Sequence, residues 1–432
     1  MEKIYYNDKA FDKKLDKLYN RPSYPPEIEK SVKQILADVR KDGNAALSTY
    51  AKKFDKVDLT PDMFPVDEQE IKKASRTVSN SCKKAIKEAL ANVDFFSKQR
   101  IPQPWSSSPR PGVIVGERFE PMERVGVYIP GGTAPLVSTV IHTAGLAKAA
   151  GVKEIVAITP PASDGTVHPA VLYAMRQAGV TEVYRLGGVY GIAALAYGTE
   201  SIKKVEKIVG PGNAYVTAAK KLVYGEVAID MIAGPSEIMV IADEKCNPAF
   251  IAADMLSQAE HGSGFEQAVL LSTDADLLDE VEKELLKQKA ELNRQETIDK
   301  VLADGVFLIH VEDMTQAAQI ASRYAPEHLE IQCRKAGNIA KQVKAAGAIF
   351  IGQWTPEPIG DFCAGPSHVL PTAGSGRYFS GLTVEGFFRR MSILNYQKSA
   401  LKQELKTVVK FAEMEGLDAH GKSASIRFKN EK

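Results

Sequence analysis

The chain is short of net charge, of cysteine and of long apolar runs, and each shortage closes off a class of function. Lys and Arg number 55 against 54 Asp and Glu, a formal net charge of +1. The pairs Lys72-Lys73, Lys83-Lys84 and Lys203-Lys204 alternate with apolar positions, as on solvated helix faces. A basic, aromatic-laced surface for nucleic acid is therefore not expected. The 4 cysteines, Cys82, Cys246, Cys333 and Cys363, stand far apart with no C-x-x-C. That spacing fits neither a disulfide framework nor a thiolate zinc site. The stretch from Met1 to Asp8 lacks an apolar signal core, and no run approaches membrane-spanning length. A cytoplasmic protein with no membrane partner is the expectation. No G-x-G-x-x-G, G-x-S-x-G or H-E-x-x-H occurs, so none of these short fingerprints announces the chemistry.

What is present is a long, ordinary globular composition. With 432 residues, 44% hydrophobic and 25% charged, two or more domains are expected. Residues 1–26 alternate charged and apolar positions until Pro22, Pro25 and Pro26, which reads as a short helical arm and a linker. Helical spacing runs from Glu27 to about Phe54, interrupted at Gly43, and again from Glu70 to Lys98 as one long helix. Pro102, Pro104, Pro109 and Pro111 mark a turn-rich connection.

From Arg124 the texture changes to apolar strands alternating with helices. Val125–Ile129, Glu154–Thr159, Glu182–Leu186, Lys207–Val209 and Ala228–Ile232 make one set. Ile238–Ile241, Ala268–Leu271, Val306–Ile309 and Ala348–Ile351 make a second. Such alternation predicts an α/β protein with two Rossmann-like domains, each with a parallel-sheet core, plus small helical extensions at both ends. Four strands run straight into Pro130-Gly131-Gly132, Gly187-Gly188, Gly210-Pro211-Gly212 or Ala233-Gly234-Pro235. Glycine turns at the C-terminal edge of a parallel sheet let a ligand approach the backbone, so a binding crevice is expected there.

Chemistry-bearing residues fall into four clusters. Read as a helix, Asp254 to Gly262 sets Asp254, Gln258 and His261 on one stripe, with Ile251, Ala252, Met255, Leu256 and Ala259 opposite. A carboxylate, an amide oxygen and an imidazole could hold a zinc or manganese ion. Taken alone the stripe reads equally as a half-exposed polar face. Ala325-Pro326-Glu327-His328 places a carboxylate beside an imidazole, a pairing suited to proton transfer, or else a helix start. Ile359 to His368 carries Asp361 between glycines, as a metal site or a plain turn. Glu413 to Gly421 holds Glu415 and His420 where a tail helix gives way to a loop. His142 reads as a core or rim residue.

In order along the chain, the motifs are Arg124-to-Gly132, Ile208-to-Asn213, Asp230-to-Glu237, Leu256-to-His261, Ala325-to-Leu329, Gly360-Asp361 with His368-to-Thr372, and Glu415-to-His420. Together they resemble the histidinol dehydrogenase family, from about Val32 to Arg427. The resemblance implies NAD-dependent oxidation of L-histidinol through L-histidinaldehyde to L-histidine, the last step of histidine biosynthesis. It implies one zinc ion per subunit on Gln258, His261, Asp361 and His420, and an acid/base pair in Glu327 and His328. Substrate contacts would be Ser236, Gln258, His261, His328, Asp361, Glu415 and His420. NAD contacts would be Tyr128, Asn213 and, by position, Tyr190, where many members have Gln. His142-Thr143 and Gly262-Ser263-Gly264 also depart from the usual residues. A homodimer with shared active sites is implied, its C-terminal extension 382–432 reaching the partner subunit. The remaining division would be 1–26 as arm, 27–127 with 241–381 as the first Rossmann-like domain, and 128–240 as the second. The competing expectation is a same-fold zinc-dependent dehydrogenase of another amino or sulfonated alcohol; retention of Glu327, His328 and Glu415 counts against it.

Overall fold

Apolar β-branched runs separated by helices give two parallel sheets, as the sequence predicts. The structure, a computed structural model, describes residues 1–21, 27–131 and 135–429. Pro22, Pro25 and Pro26 of the expected linker, and Gly132, lie outside the described residues. The strands are β1 (Glu2–Tyr5), β2 (Trp105–Arg110), β3 (Val113–Pro121), β4 (Arg124–Tyr128), β5 (Glu154–Ile158), β6 (Glu182–Tyr184) and β7 (Lys207–Val209). They continue with β8 (Ala228–Ile229), β9 (Glu237–Ala242), β10 (Gln267–Ser272), β11 (Val306–His310), β12 (His328–Ile331), β13 (Ala348–Ile351) and β14 (Phe388–Tyr396). One sheet has the order β6-β5-β4-β7-β8 and another β1-β11-β10-β9-β12-β13, all pairs parallel. Both sheets belong to one unit, Met1–Arg100 with Met122–Phe387. A second unit, Ile101–Pro121 with Phe388–Lys432, carries the antiparallel sheet β14-β3-β2. Among the described residues, no helix is long and apolar enough to cross a membrane.

Four local expectations are corrected. The N-terminal arm is not purely helical: β1 pairs with β11 at the sheet edge, and the helix Phe11–Tyr19 buries Phe11, Leu15 and Leu18. Its short period-2 run is masked by the charges around it. The segment expected as one helix over 70–98 is two, Glu68–Thr77 and Asn80–Lys98. Asp67 and Ser79 accept the amides of Glu70 and Cys82 as N-caps, and capping decides the break although the apolar spacing runs on. The proline-rich connection contains β2, tolerated because Pro109 sits on an edge strand. Finally, Val32, Leu36, Leu47 and Leu59 share a core with Val156, Ile158 and Ile208. Residues 27–59 therefore cover the five-stranded sheet, not the other one; periodicity shows that a helix buries a face but not against which sheet.

The topology places two edges where chemistry can occur. In the five-stranded sheet the chain goes from β4 outward through β5 and β6, then returns to the other side of β4 as β7. The switch point is the β4/β7 boundary, beyond whose C-terminal ends a parallel sheet opens a crevice. Gly210 lies there at φ +124°, and a Cβ on it would stand 2.3 Å from the Tyr128 carbonyl oxygen. From β8 the chain passes through Asp230–Ser236 directly into the N-terminal end of β9. Asp230 is tied to this crossing by the Gly210 amide at 2.7 Å and by a buried ion pair with Lys220. The second chemical edge is thus the N-terminal end of β9 and of its neighbour β12.

Candidate active site

The opening of β12 carries the most unusual charges in the molecule. The preceding helix, Met314–Tyr324, ends at Ala325 with φ +49°, and Pro326 then holds the chain extended. Glu327 and His328 follow, 6% and 2% exposed, so the pair begins a strand and the helix-start alternative falls away. His328 Nδ1 lies 3.0 Å from Gln258 Oε1 and 3.1 Å from the Glu237 carbonyl. Both neighbours are acceptors, which assigns the proton to Nδ1 and leaves Nε2 as the basic atom of the neutral ring. Nε2 stands 3.4 Å from Asp361 Oδ1 and 3.8 Å from Glu357 Oε1. Glu327 Oε2 accepts the Glu237 amide at 3.0 Å and lies 3.8 Å from His328 Nδ1.

Gln258 comes from the helix Pro248–Ala259, which Asn247 caps and Pro248 opens. Gln258 is fully buried and Asp254 nearly so, which excludes the half-exposed polar face. His261 lies just past the helix end, its Nδ1 3.1 Å from Gln258 Nε2. Asp361 and Glu357 share the short helix Glu357–Phe362 at a four-residue spacing, so both face His328. Sequence reading does not single out Glu357, although that spacing is the signal that could have found it. The Glu357 amide donates to Glu330 Oε1 at 2.7 Å, and Gln332 bridges Glu330 Oε2 and Asp254 Oδ2 at 2.7 and 2.9 Å. Asp254 therefore supports the site from behind. His368 Nδ1–H donates to the Asp361 carbonyl (3.1 Å), and buried His142 packs on it with ring centroids 4.8 Å apart.

These surroundings set the charges. Burial raises Glu327 to about 8 against the pull of His328. Burial pushes His328 down, but Glu327, Asp361 and Glu357 outweigh it and bring it up to about 10. Asp361 is held well below the usual carboxylate range, because the His328 imidazole 3.4 Å away outweighs the cost of burial. Glu357, raised by burial and by Asp361, stands at about 8. A cation fits this constellation. His328 Nε2, Glu357 Oε1 and Asp361 Oδ1 are buried without hydrogen-bond partners, and one ligand atom from each lies within 4.8 Å of the others. A nitrogen with carboxylate oxygens and no thiolate suits zinc or manganese.

The remaining predicted residues are distributed more widely. Ser236 is half-buried, directly before Glu237. Glu415 ends the helix Lys398–Glu415 and His420 lies in Asp418–Ser425; both are exposed and belong to the second unit. Tyr128 ends β4, buried, its phenol pushed up to about 12 by burial. Asn213 accepts the amides of Tyr215 and Val216, both at 3.1 Å, capping the helix Ala214–Val223. Tyr190 is 1% exposed; its hydroxyl accepts the Gly187 amide at 3.0 Å and donates to Asp55. The phenol thus caps the Gly187-Gly188 turn from within. Tyr190→Phe should leave that amide and the half-buried Asp55 without their partner, costing about 1–3 kcal/mol in thermal unfolding.

The Histidinol dehydrogenase family profile matches residues 20–428. A histidinol dehydrogenase of Listeria monocytogenes is 45% identical over 415 residues, covering 96% of each chain. One of Bacillus cereus is 45% identical over 433 residues, covering 100% of each. A crystal structure of histidinol dehydrogenase from Elizabethkingia anophelis superposes with a TM-score of 0.94 at 35% identity, covering 99% of this chain and 98% of that one. On sequence and on fold over nearly its whole length, the chain belongs to the histidinol dehydrogenase family.

Proposed function

We propose that the chain oxidises L-histidinol with NAD, through the aldehyde to L-histidine, at the β9/β12 edge. The observation that carries the reading is the buried His328 Nε2, free of a hydrogen-bond partner to act as base, facing the equally unpartnered Asp361 Oδ1 that can hold a cation beside it. Gln258, His261 and Asp361, with His420 of the partner subunit, would hold a zinc ion. Bound zinc supplies an anchor that orients the substrate, and bound NAD supplies the hydride acceptor. His328 Nε2 takes the hydroxyl proton in each oxidation, with Nδ1 fixed by Gln258 and Glu237. Glu327, held 3.0 Å from the Glu237 amide, serves the aldehyde hydration as base to water. Ser236 and the partner subunit's Glu415 contact the substrate. The NAD side is the β4/β7 switch point, with Tyr128 and Asn213 at its rim and Tyr190 acting through the Gly187-Gly188 turn.

A shared-site homodimer is part of this reading. What supports it is the second unit's uncovered apolar surface: Trp105, Leu394, Phe411 and Met414 are each at least half exposed, and the helix Lys398–Glu415 buries only Ala400 and Ala412. A surface of that kind marks an interface. The four unpaired cysteines fit a cytoplasmic location. NADH formation with L-histidinol, compared with other amino and sulfonated alcohols, tests the reading; preference for another alcohol would overturn it.

The charges also give a pH dependence. His328 works as a base only when Nε2 is free, and its carboxylate neighbours hold the proton on. With a folded-state pKa raised to about 10, the free base gains as pH climbs, so kcat/KM should rise toward alkaline pH. A cation on Asp361 would offset that carboxylate and bring the rise to lower pH. Glu327→Gln removes a carboxylate whose charge raises His328, so its profile should rise earlier than wild type, at a lower plateau. A profile that moves to higher pH would contradict the sign.

A further inference from the structure

Behind the acid/base pair sits a cation from the far end of the chain. The Arg21 side chain is 8% exposed, and its guanidinium lies 3.0 Å from Glu237 Oε1. The same group stacks 3.5 Å over the Tyr324 ring and donates to the Tyr324 carbonyl. Glu237 Oε1 also accepts the Ala373 amide at 3.0 Å. The backbone of Glu237 serves both reacting residues: its N–H holds Glu327 Oε2 and its C=O holds His328 Nδ1. A single peptide segment at the start of β9 therefore sets the placement of both groups, and a buried carboxylate anchors that segment.

We propose that Arg21 is a positioning residue, which reaches Glu327 and His328 through Glu237 and makes the N-terminal segment part of the active site. The physical reason is the cost of an isolated buried carboxylate. Burial works against the Glu237 carboxylate; the charges of Arg21 and His328 and backbone hydrogen bonds from Ala373 and Glu327 favour it, and Arg21 supplies its ion pair. Without the guanidinium, Glu237 must turn toward water, which releases the Ala373 amide and frees the start of β9 to shift, or neutralise, which weakens the bond it accepts from Ala373. Arg is suited to the place because its plane stacks on Tyr324 while its charge stands beside the carboxylate. Lys would reproduce the charge without the stack. The helix Phe11–Tyr19, docked by Phe11, Leu15 and Leu18, brings Arg21 to this position, which gives the arm a reason to be built into the sheet.

The inference rests on Glu327 and His328 being the acid/base pair, and the test separates the two. Arg21→Ala and Arg21→Gln are assayed beside His328→Ala, with metal content and thermal unfolding measured on each. Arg21→Gln keeps a donor for Tyr324 and loses the charge, and serves if the alanine variant does not fold. The expected result is a kcat lowered about 10²-fold, as for a displaced reacting group, with the KM for L-histidinol and the metal content unchanged. Added guanidinium chloride should restore part of the rate to Arg21→Ala, and sodium chloride at the same ionic strength should not. Wild-type kcat in either folded variant overturns the proposal, as does a loss that tracks metal loss and resists guanidinium. Full activity in His328→Ala would instead overturn the acid/base assignment itself.

Discussion

His328→Ala lowers kcat by about 10³-fold, the middle of the range for a removed general acid/base, and leaves the metal bound. The size follows from the setting. Nε2 is the basic atom in the cluster whose proton is directed by a fixed tautomer, and the ring is 2% exposed, so water cannot easily replace it. Metal retention follows because Gln258, His261 and Asp361 are supplied by other segments. The same variant tests the shared site. Mixed with a His420→Ala homodimer under subunit exchange, it should regain part of the wild-type rate, since one site of the heterodimer is then intact. Verified heterodimers without activity would mean that His420 serves its own chain.

Asp361→Ala removes both activity and metal. Its Oδ1 is the atom that faces His328 Nε2 at 3.4 Å, and it is the residue common to the expected ligand set and to the buried group with Glu357. Loss of a supporting hydrogen bond to a ligand already costs about 10–100-fold in metal affinity, so removal of the ligand itself should cost at least the upper end. Zinc or manganese stoichiometry after dialysis reads this directly. Unchanged stoichiometry would contradict the ligand assignment. The variant also removes the carboxylate that stands 3.4 Å from His328 Nε2, so the imidazole pKa should fall relative to the metal-free parent, observable by titration of the metal-free forms.

The two sheets were legible in the sequence because fully buried parallel strands are continuous apolar runs, and β4, β9 and β10 are buried at every position. Glu327, His328, Gln258 and Asp361 were legible as clusters, and the structure brings these four together around one imidazole. What the sequence hid has physical reasons. Glu357 is one carboxylate in a proline-bounded turn of helix, and only the fold shows that it faces His328. Arg21 lies more than 200 residues from its partner Glu237, and no local period encodes an ion pair at that separation. The break at Val78-Ser79 was invisible to apolar spacing because a capping hydroxyl, not a change of period, ends one helix and starts the next. Tyr190 stood out because the family resemblance leads one to expect glutamine there, but its bonds to Gly187 and Asp55 needed the side-chain geometry.

The most direct test of the central claim is the stoichiometry of wild-type turnover with limiting L-histidinol and excess NAD. Two successive oxidations at one site predict two NADH formed per L-histidinol consumed, with L-histidine as the product. No NADH from L-histidinol, or one NADH with the aldehyde released as the end product, would contradict it.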